Sequence, residues 1–134
     1  MAMQISNYLS AALLNAALRN TAFTPPPTVY IALYTSDPTA ADTGTEVSGG
    51  AYARQAITFG APSLVSGKQT VTTTADVTFP IAAADWGLVT HIGLRTAASG
   101  GNLLWTQALV NPRSILTGDR PKFLAGSTLV RFAQ

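Results

Sequence analysis

Hydrophobic positions change their period once along this chain, close to residue 25. Before that point, Ile5, Leu9, Ala12, Leu13 and Ala16 recur at the i, i+4, i+7, i+8 spacing of one helical face. Ala and Leu dominate residues 8–18, and both are strong helix formers. Asn20 and Thr21 leave the pattern, and Pro25, Pro26 and Pro27 cannot continue a helix. The spacing predicts an N-terminal helix over 4–19. Its apolar face is larger than one small sheet needs. It either packs on the chain's own sheet or docks on a neighbouring subunit.

After the prolines the period becomes two. Val29, Ile31 and Leu33 alternate with Tyr30, Ala32 and Tyr34, as in a strand. Asp37 and Pro38 start a turn, and residues 39–50 are a loop rich in Thr, Asp, Gly and Ser. A second strand is predicted over 52–59, with Tyr52, Arg54, Ala56 and Thr58 on one face. Residues 69–79 are rich in Thr and Val and form one long strand or two short ones. A hairpin joins 88–95 to 103–109 across residues 97–102. The last strands, 122–124 and 127–132, flank Ala125 and Gly126. Several short strands separated by turn signals point to an antiparallel sandwich or barrel. The expected fold is all-β with one N-terminal helix: an antiparallel β-sandwich or jelly-roll-like arrangement of about seven to nine strands. It forms a single domain over 1–134, the β part spanning 28–134.

Composition narrows the surface and the partners. A chain of 134 residues buries roughly 65–70% of its unfolded surface, enough for a core without staples. It has no cysteine, which excludes disulfides and thiolate metal sites. Only 10% of its residues are charged, against about 25% in typical domains. Ala, Thr, Ser and Gly must therefore cover much of the exterior. That suits dense packing against neighbouring subunits, and it is equally the composition of a Thr-rich β protein. The eight basic and six acidic residues are scattered, with no basic cluster for a nucleic acid. The longest apolar stretch near the start is too short and amphipathic to span a membrane. Residues 1–18 lack a basic leader region and contain Asn7 and Asn15, so no signal peptide is expected. The expected site of synthesis and assembly is a cytoplasm.

Candidate chemistry is thin. His91 is the single histidine and lies mid-strand, with no second His or Cys at metal-ligand spacing. No serine carries a Gly-x-Ser-x-Gly frame. Asp37, Asp42, Glu46, Asp76, Asp85 and Asp119 fall mostly at turns, where a carboxylate bonds nearby backbone N–H groups. The first three share one loop and invite a calcium reading, but their spacing does not match an EF-hand loop. The Gly49-Gly50 and Gly100-Gly101 pairs serve tight turns, since neither opens a helix as a phosphate cradle would. Trp86 and Trp105 suit a core or a subunit contact, or else a sugar platform. Arg54, Arg95 and Arg131 sit in or beside strands, where pairing with a carboxylate is expected. The chain is expected to be non-enzymatic, with no metal and no cofactor.

Two blocks carry a wider resemblance. The first is Val29-Tyr30-Ile31-Ala32-Leu33-Tyr34-Thr35-Ser36-Asp37-Pro38, followed by Gly44 to Arg54. The second runs from Asp85-Trp86-Gly87 through His91-Ile92-Gly93-Leu94-Arg95 to Gly100-Gly101-Asn102-Leu103-Leu104-Trp105. Together they resemble a family of small virion proteins of tailed bacteriophages, often labelled tail-fibre or virion structural proteins. The resemblance extends from the N-terminal helix to the final strand. It implies a structural protein of the virion, assembled in the host cytoplasm. A short chain without a fibrous repeat suits a multicopy capsid cement or decoration protein. The alternative is a tail or tail-fibre component, and a further one is a carbohydrate-binding module. The expected partners are phage structural proteins (the major capsid protein or tail proteins) and further copies of the chain, without nucleic acid or membrane. Tyr8, Leu9 and Leu13 in the helix, with Arg131 and Phe132 in the last strand, are the expected contact residues. Arg and aromatic side chains are enriched at such contacts.

Overall fold

The computed structural model describes residues 3–131. The chain opens with a two-residue strand, β1 (Gln4–Ile5), and then helix α1 (Asn7–Leu18). The helix starts later than its periodicity suggests. Ser6 is the N-cap, in extended conformation, and its hydroxyl accepts a hydrogen bond from the Leu9 N–H at 3.1 Å. Gln4 and Ile5 instead pair with Thr106 and Trp105 of the main sheet. Ile5 therefore belongs to a strand rather than to the helical stripe. At the far end the Arg19 N–H reaches the Asn15 carbonyl, and Asn20 takes a positive φ of 51°.

The main sheet has five antiparallel strands in the order β1-β8-β7-β2-β3. Here β2 is Val29–Tyr34, β3 is Gln55–Ile57, β7 is Gly87–Arg95 and β8 is Leu103–Ile115. Four consecutive residues of β2, 31–34, are buried. Strict alternation would leave every second one in water, so both faces of this central strand are covered. The hairpin of β7 and β8 is longer than the sequence suggests, because β8 continues past Leu109 through a bulge. Val89 pairs with Arg113 and His91 with Ala108, so Thr90 stands opposite Leu109, Val110, Asn111 and Pro112. Pro112 cannot donate to a ladder, and a bulge is where a strand tolerates it.

Two smaller sheets complete the fold. One has the order β10-β5-β4, from Leu129–Arg131, Lys68–Thr72 and Ser63–Val65. The other pairs β6 (Val77–Thr78) with β9 (Lys122–Phe123). The described residues thus hold ten strands, one helix and only antiparallel pairings. The stretch 69–79 resolves into β5 and β6. The strand expected over 52–59 shrinks to Gln55–Ile57, which pairs with Val29–Ile31, and Phe59 makes only an isolated bridge to Thr73. Strands β1 and β4 have no counterpart in the sequence reading.

The core joins the sheets. Ile31, Leu33, Ile57, Ile92, Leu94 and Ile115 of the main sheet pack with Val77 and Val130 from the smaller ones and with Phe79, which follows β6. Phe79 is fully buried and meets three rings: Tyr52 at 6.2 Å, Trp86 at 6.5 Å and Phe123 at 6.1 Å between centroids. These separations lie in the favourable range for aromatic pairs.

Candidate functional site

The long loop after β2 carries three of the chain's six carboxylates, and two arginines take up two of them. Arg54 donates from Nε and Nη2 to the two oxygens of Glu46, at 2.8 and 2.7 Å. The Tyr52 hydroxyl donates to the same carboxylate at 2.7 Å and accepts from the Leu33 N–H at 3.0 Å. Arg54 Nη1 also reaches the carbonyls of Ala97 and Gly100, each at 2.8 Å. Arg95 makes a second fork: Nη1 and Nη2 donate to the oxygens of Asp42 at 2.8 and 2.9 Å. It further donates to the Tyr34 hydroxyl at 2.8 Å and the Gly101 carbonyl at 3.0 Å. Bidentate Arg–carboxylate pairs fix orientation as well as adding energy. The loop after β2 and the β7–β8 turn are therefore held to one another and to the sheet.

The electrostatics follow from that packing. Burial works to raise the Glu46 pKa, but hydrogen bonds from Arg54 and Tyr52 outweigh it and hold the carboxyl below its ordinary value. The hydrogen bond to Glu46 raises the Arg54 pKa. Burial pushes the Tyr52 phenol up, and its bond to Glu46 adds to the effect. Burial likewise raises Tyr34. Arg95 is pulled down by burial, yet its pairing with Asp42 and Tyr34 leaves it further above its ordinary value.

This arrangement answers the calcium reading of the loop. Glu46 and Asp42 each face their own guanidinium, and Asp37 lies 3.8 Å from His91 Nε2. Among the described residues, no three His, Asp or Glu side chains converge as a metal would require. His91 Nδ1 is hydrogen-bonded to the Thr90 hydroxyl at 2.8 Å. Trp86 is buried and donates from Nε1 to the Gly50 carbonyl at 2.9 Å, which removes it as a sugar platform. Trp105 is half-buried in the main sheet.

The expected contact residues divide. Leu9 is 3% exposed and belongs to the chain's own core, and Leu13 is half-buried against that core. Leu9 is therefore not presented to a partner. Tyr8 is 43% exposed, and further along the helix Leu14 is exposed at 60% and Leu18 at 76%. Leu14 and Leu18 were not among the expected residues. The signal for them was present: a helix without one charged side chain has more apolar surface than its inner stripe uses. Arg131 is half-buried on β10, paired with Thr70. Phe132 lies outside the described residues. All three residues of β4 are exposed at the outer side of their sheet. In the main sheet, β1 pairs with β8 only at Trp105 and Thr106.

A family model described as Podophage GP4 fiber I protein gp80 matches residues 4–131, which is nearly the whole chain. No curated protein matches it. The chain belongs to this family of tailed-phage virion fibre proteins.

Proposed function

We propose that this fibre-family chain is a non-enzymatic structural subunit of the phage tail-fibre apparatus, bound to other virion proteins through the outer face of α1 and through open strand edges. One observation carries the reading. Leu14 and Leu18, one helical turn apart, leave an uncharged, apolar stripe in solvent, while Leu9 on the other side of the helix is buried in the core. Exposed apolar patches of this kind mark interaction surfaces. The exposed β4 edge supports the same reading, because an unpaired strand edge invites a partner. A non-enzymatic role accords with the loop carboxylates Glu46 and Asp42 being committed to Arg54 and Arg95.

The sequence alone favours a capsid cement protein over a fibre component. The family description favours the fibre, and we place the chain there. Decoration of the capsid is the second reading, favoured by the short chain without a fibrous repeat. Assembly in the host cytoplasm belongs to both readings.

Localising the chain in a map of the intact particle tests the proposal. A fibre subunit appears in a small number of copies at the tail. A lattice of copies over the shell would overturn the fibre assignment in favour of decoration. Leu14→Asp and Leu18→Asp chains that fold but fail to join particles would support the helix face. Normal incorporation of both would remove that face from the interface.

A further inference from the structure

The bulge in β8 opens a groove that the structural role does not use. Across it lies the segment that leads from β8 into β9. That segment is fixed by its own backbone: Ala82 N–H donates to the Asp119 carbonyl at 2.8 Å, and Phe79 N–H to the Pro121 carbonyl at 3.0 Å. The strap is thus held by backbone hydrogen bonds, and Arg113, Ser114 and Ile115 of the facing wall pair with β7. The space between them is about 560 Å³. Small-molecule sites usually fall between about 300 and 1,000 Å³.

The lining is chemically one-sided. Arg113, Arg120 and Lys122 face it against a single carboxylate, Asp119. Asp119 is partly spent, since its Oδ2 accepts from the Leu116 N–H at 2.9 Å. Among the described residues Arg120 bonds through Nε alone, donating to the Phe79 carbonyl at 3.1 Å. Lys122 meets Asp76 at 3.3 Å with both side chains about half exposed, a pairing that solvent weakens. The Arg113 side chain makes no hydrogen bond or ion pair with the described residues. Asn111 and Ser114 add an amide and a hydroxyl, and Leu109 and Phe123 add apolar surface.

We propose that this groove binds a short acidic saccharide, a sugar chain bearing carboxylates. A guanidinium fork matches a carboxylate. The amide and hydroxyl suit sugar hydroxyls, and the apolar side chains suit the C–H face of a ring. An acidic peptide is the less favoured occupant. Peptides commonly add to a strand edge through backbone bonds, whereas this groove offers side chains on both walls. The site is separate from the α1 face, since no residue of the helix lines it.

Titration of the intact chain with trigalacturonate, followed by amide chemical shifts at low and at moderate salt, tests the assignment. Maltotriose, triglutamate and inorganic phosphate serve as comparison probes. Saturable binding of trigalacturonate is expected, with shifts at residues 109–123. Arg113→Ala should weaken it by about tenfold or more, Arg113→Lys by less, and Asn111→Asp should weaken it through charge repulsion. Arg113 and Asn111 are exposed, so unchanged melting temperatures will show that these variants fold. Absence of saturable binding, or binding undiminished in Arg113→Ala, overturns the proposal. Equal affinity for maltotriose, triglutamate or phosphate overturns it as well, in favour of a neutral sugar, a peptide or a simple anion.

Discussion

Arg95 reaches Asp42 across 53 residues of sequence, and both terminal nitrogens of its guanidinium meet both oxygens of the carboxylate. Arg95 is only 7% exposed, so its buried charge is compensated chiefly by that partner. Asp42→Asn should cost about 1–3 kcal/mol of stability, as loss of a charge-assisted bond at a part-buried site does. Arg95→Met should cost at least as much, since it also abandons Tyr34 and Gly101. Urea unfolding of the two single variants and the double variant will measure the coupling. An additive double variant would show that the pair contributes nothing beyond its separate residues.

Acid should weaken the fold partly through Glu46. Its carboxyl titrates near 4.5 in an unfolded chain and lower in the folded one. The stabilisation is therefore complete above pH 4.5 and is lost as pH falls through the folded value. Glu46→Gln should be less stable at neutral pH and should show a flatter decline below pH 4.5. Some decline will persist, because Asp76 is also held low by the Ala125 N–H and Lys122. Stability curves from pH 7 to pH 2 for both chains will decide it, and identical slopes would remove Glu46 as a contributor.

Gly44 is required by a close backbone approach. A Cβ there would stand 2.6 Å from the Pro38 Cα and 2.7 Å from the Pro38 nitrogen, and backbone cannot step aside as a side chain can. Gly44→Ala should cost about 1–3 kcal/mol. It should also loosen residues 37–45, seen as faster amide exchange there than in β7. An unchanged melting temperature would contradict the tight loop.

Substitutions along α1 should separate folding from assembly. Leu9→Ala should cost about 2–5 kcal/mol, the range for a truncated buried leucine. Leu13→Ala, at a half-buried position, should cost less. Leu14→Ala and Leu18→Ala should leave the isolated chain within about 0.5 kcal/mol of its starting stability. Thermal unfolding of the four chains will rank them, and a large loss at Leu18 would mean that its exposure is misread.

Chelation is expected to leave thermal stability unchanged, since a metal bound only by the folded chain would raise it. A lower melting temperature in EDTA would point back to the loop of Asp37, Asp42 and Glu46.

Much of the fold is legible in local sequence. The alternation of Val29, Ile31 and Leu33 gives β2, the Gly100-Gly101 turn gives the β7–β8 hairpin, and the prolines end the helical region. These features depend on spacing and on backbone preference, which neighbouring residues settle among themselves. The pairing of the arginines with carboxylates was also legible as a type of contact, because a half-buried guanidinium needs an anion. Which carboxylate each would meet was not, since Arg95 and Asp42 come together only when β2 and β7 pair. For the same reason Ile5 was drawn into a helical stripe that it leaves: its backbone finds a partner in β8. The period of the helix named its apolar positions but not which of them the core would take. Only the docking of α1 on β8 decided that Leu9 is inside and that Leu14 and Leu18 are out. The groove beside Arg113 is tertiary altogether. It exists because a bulge at Pro112 and a strap from Asp119 to Phe123, unremarkable as sequence, are held apart by sheets that form elsewhere in the chain.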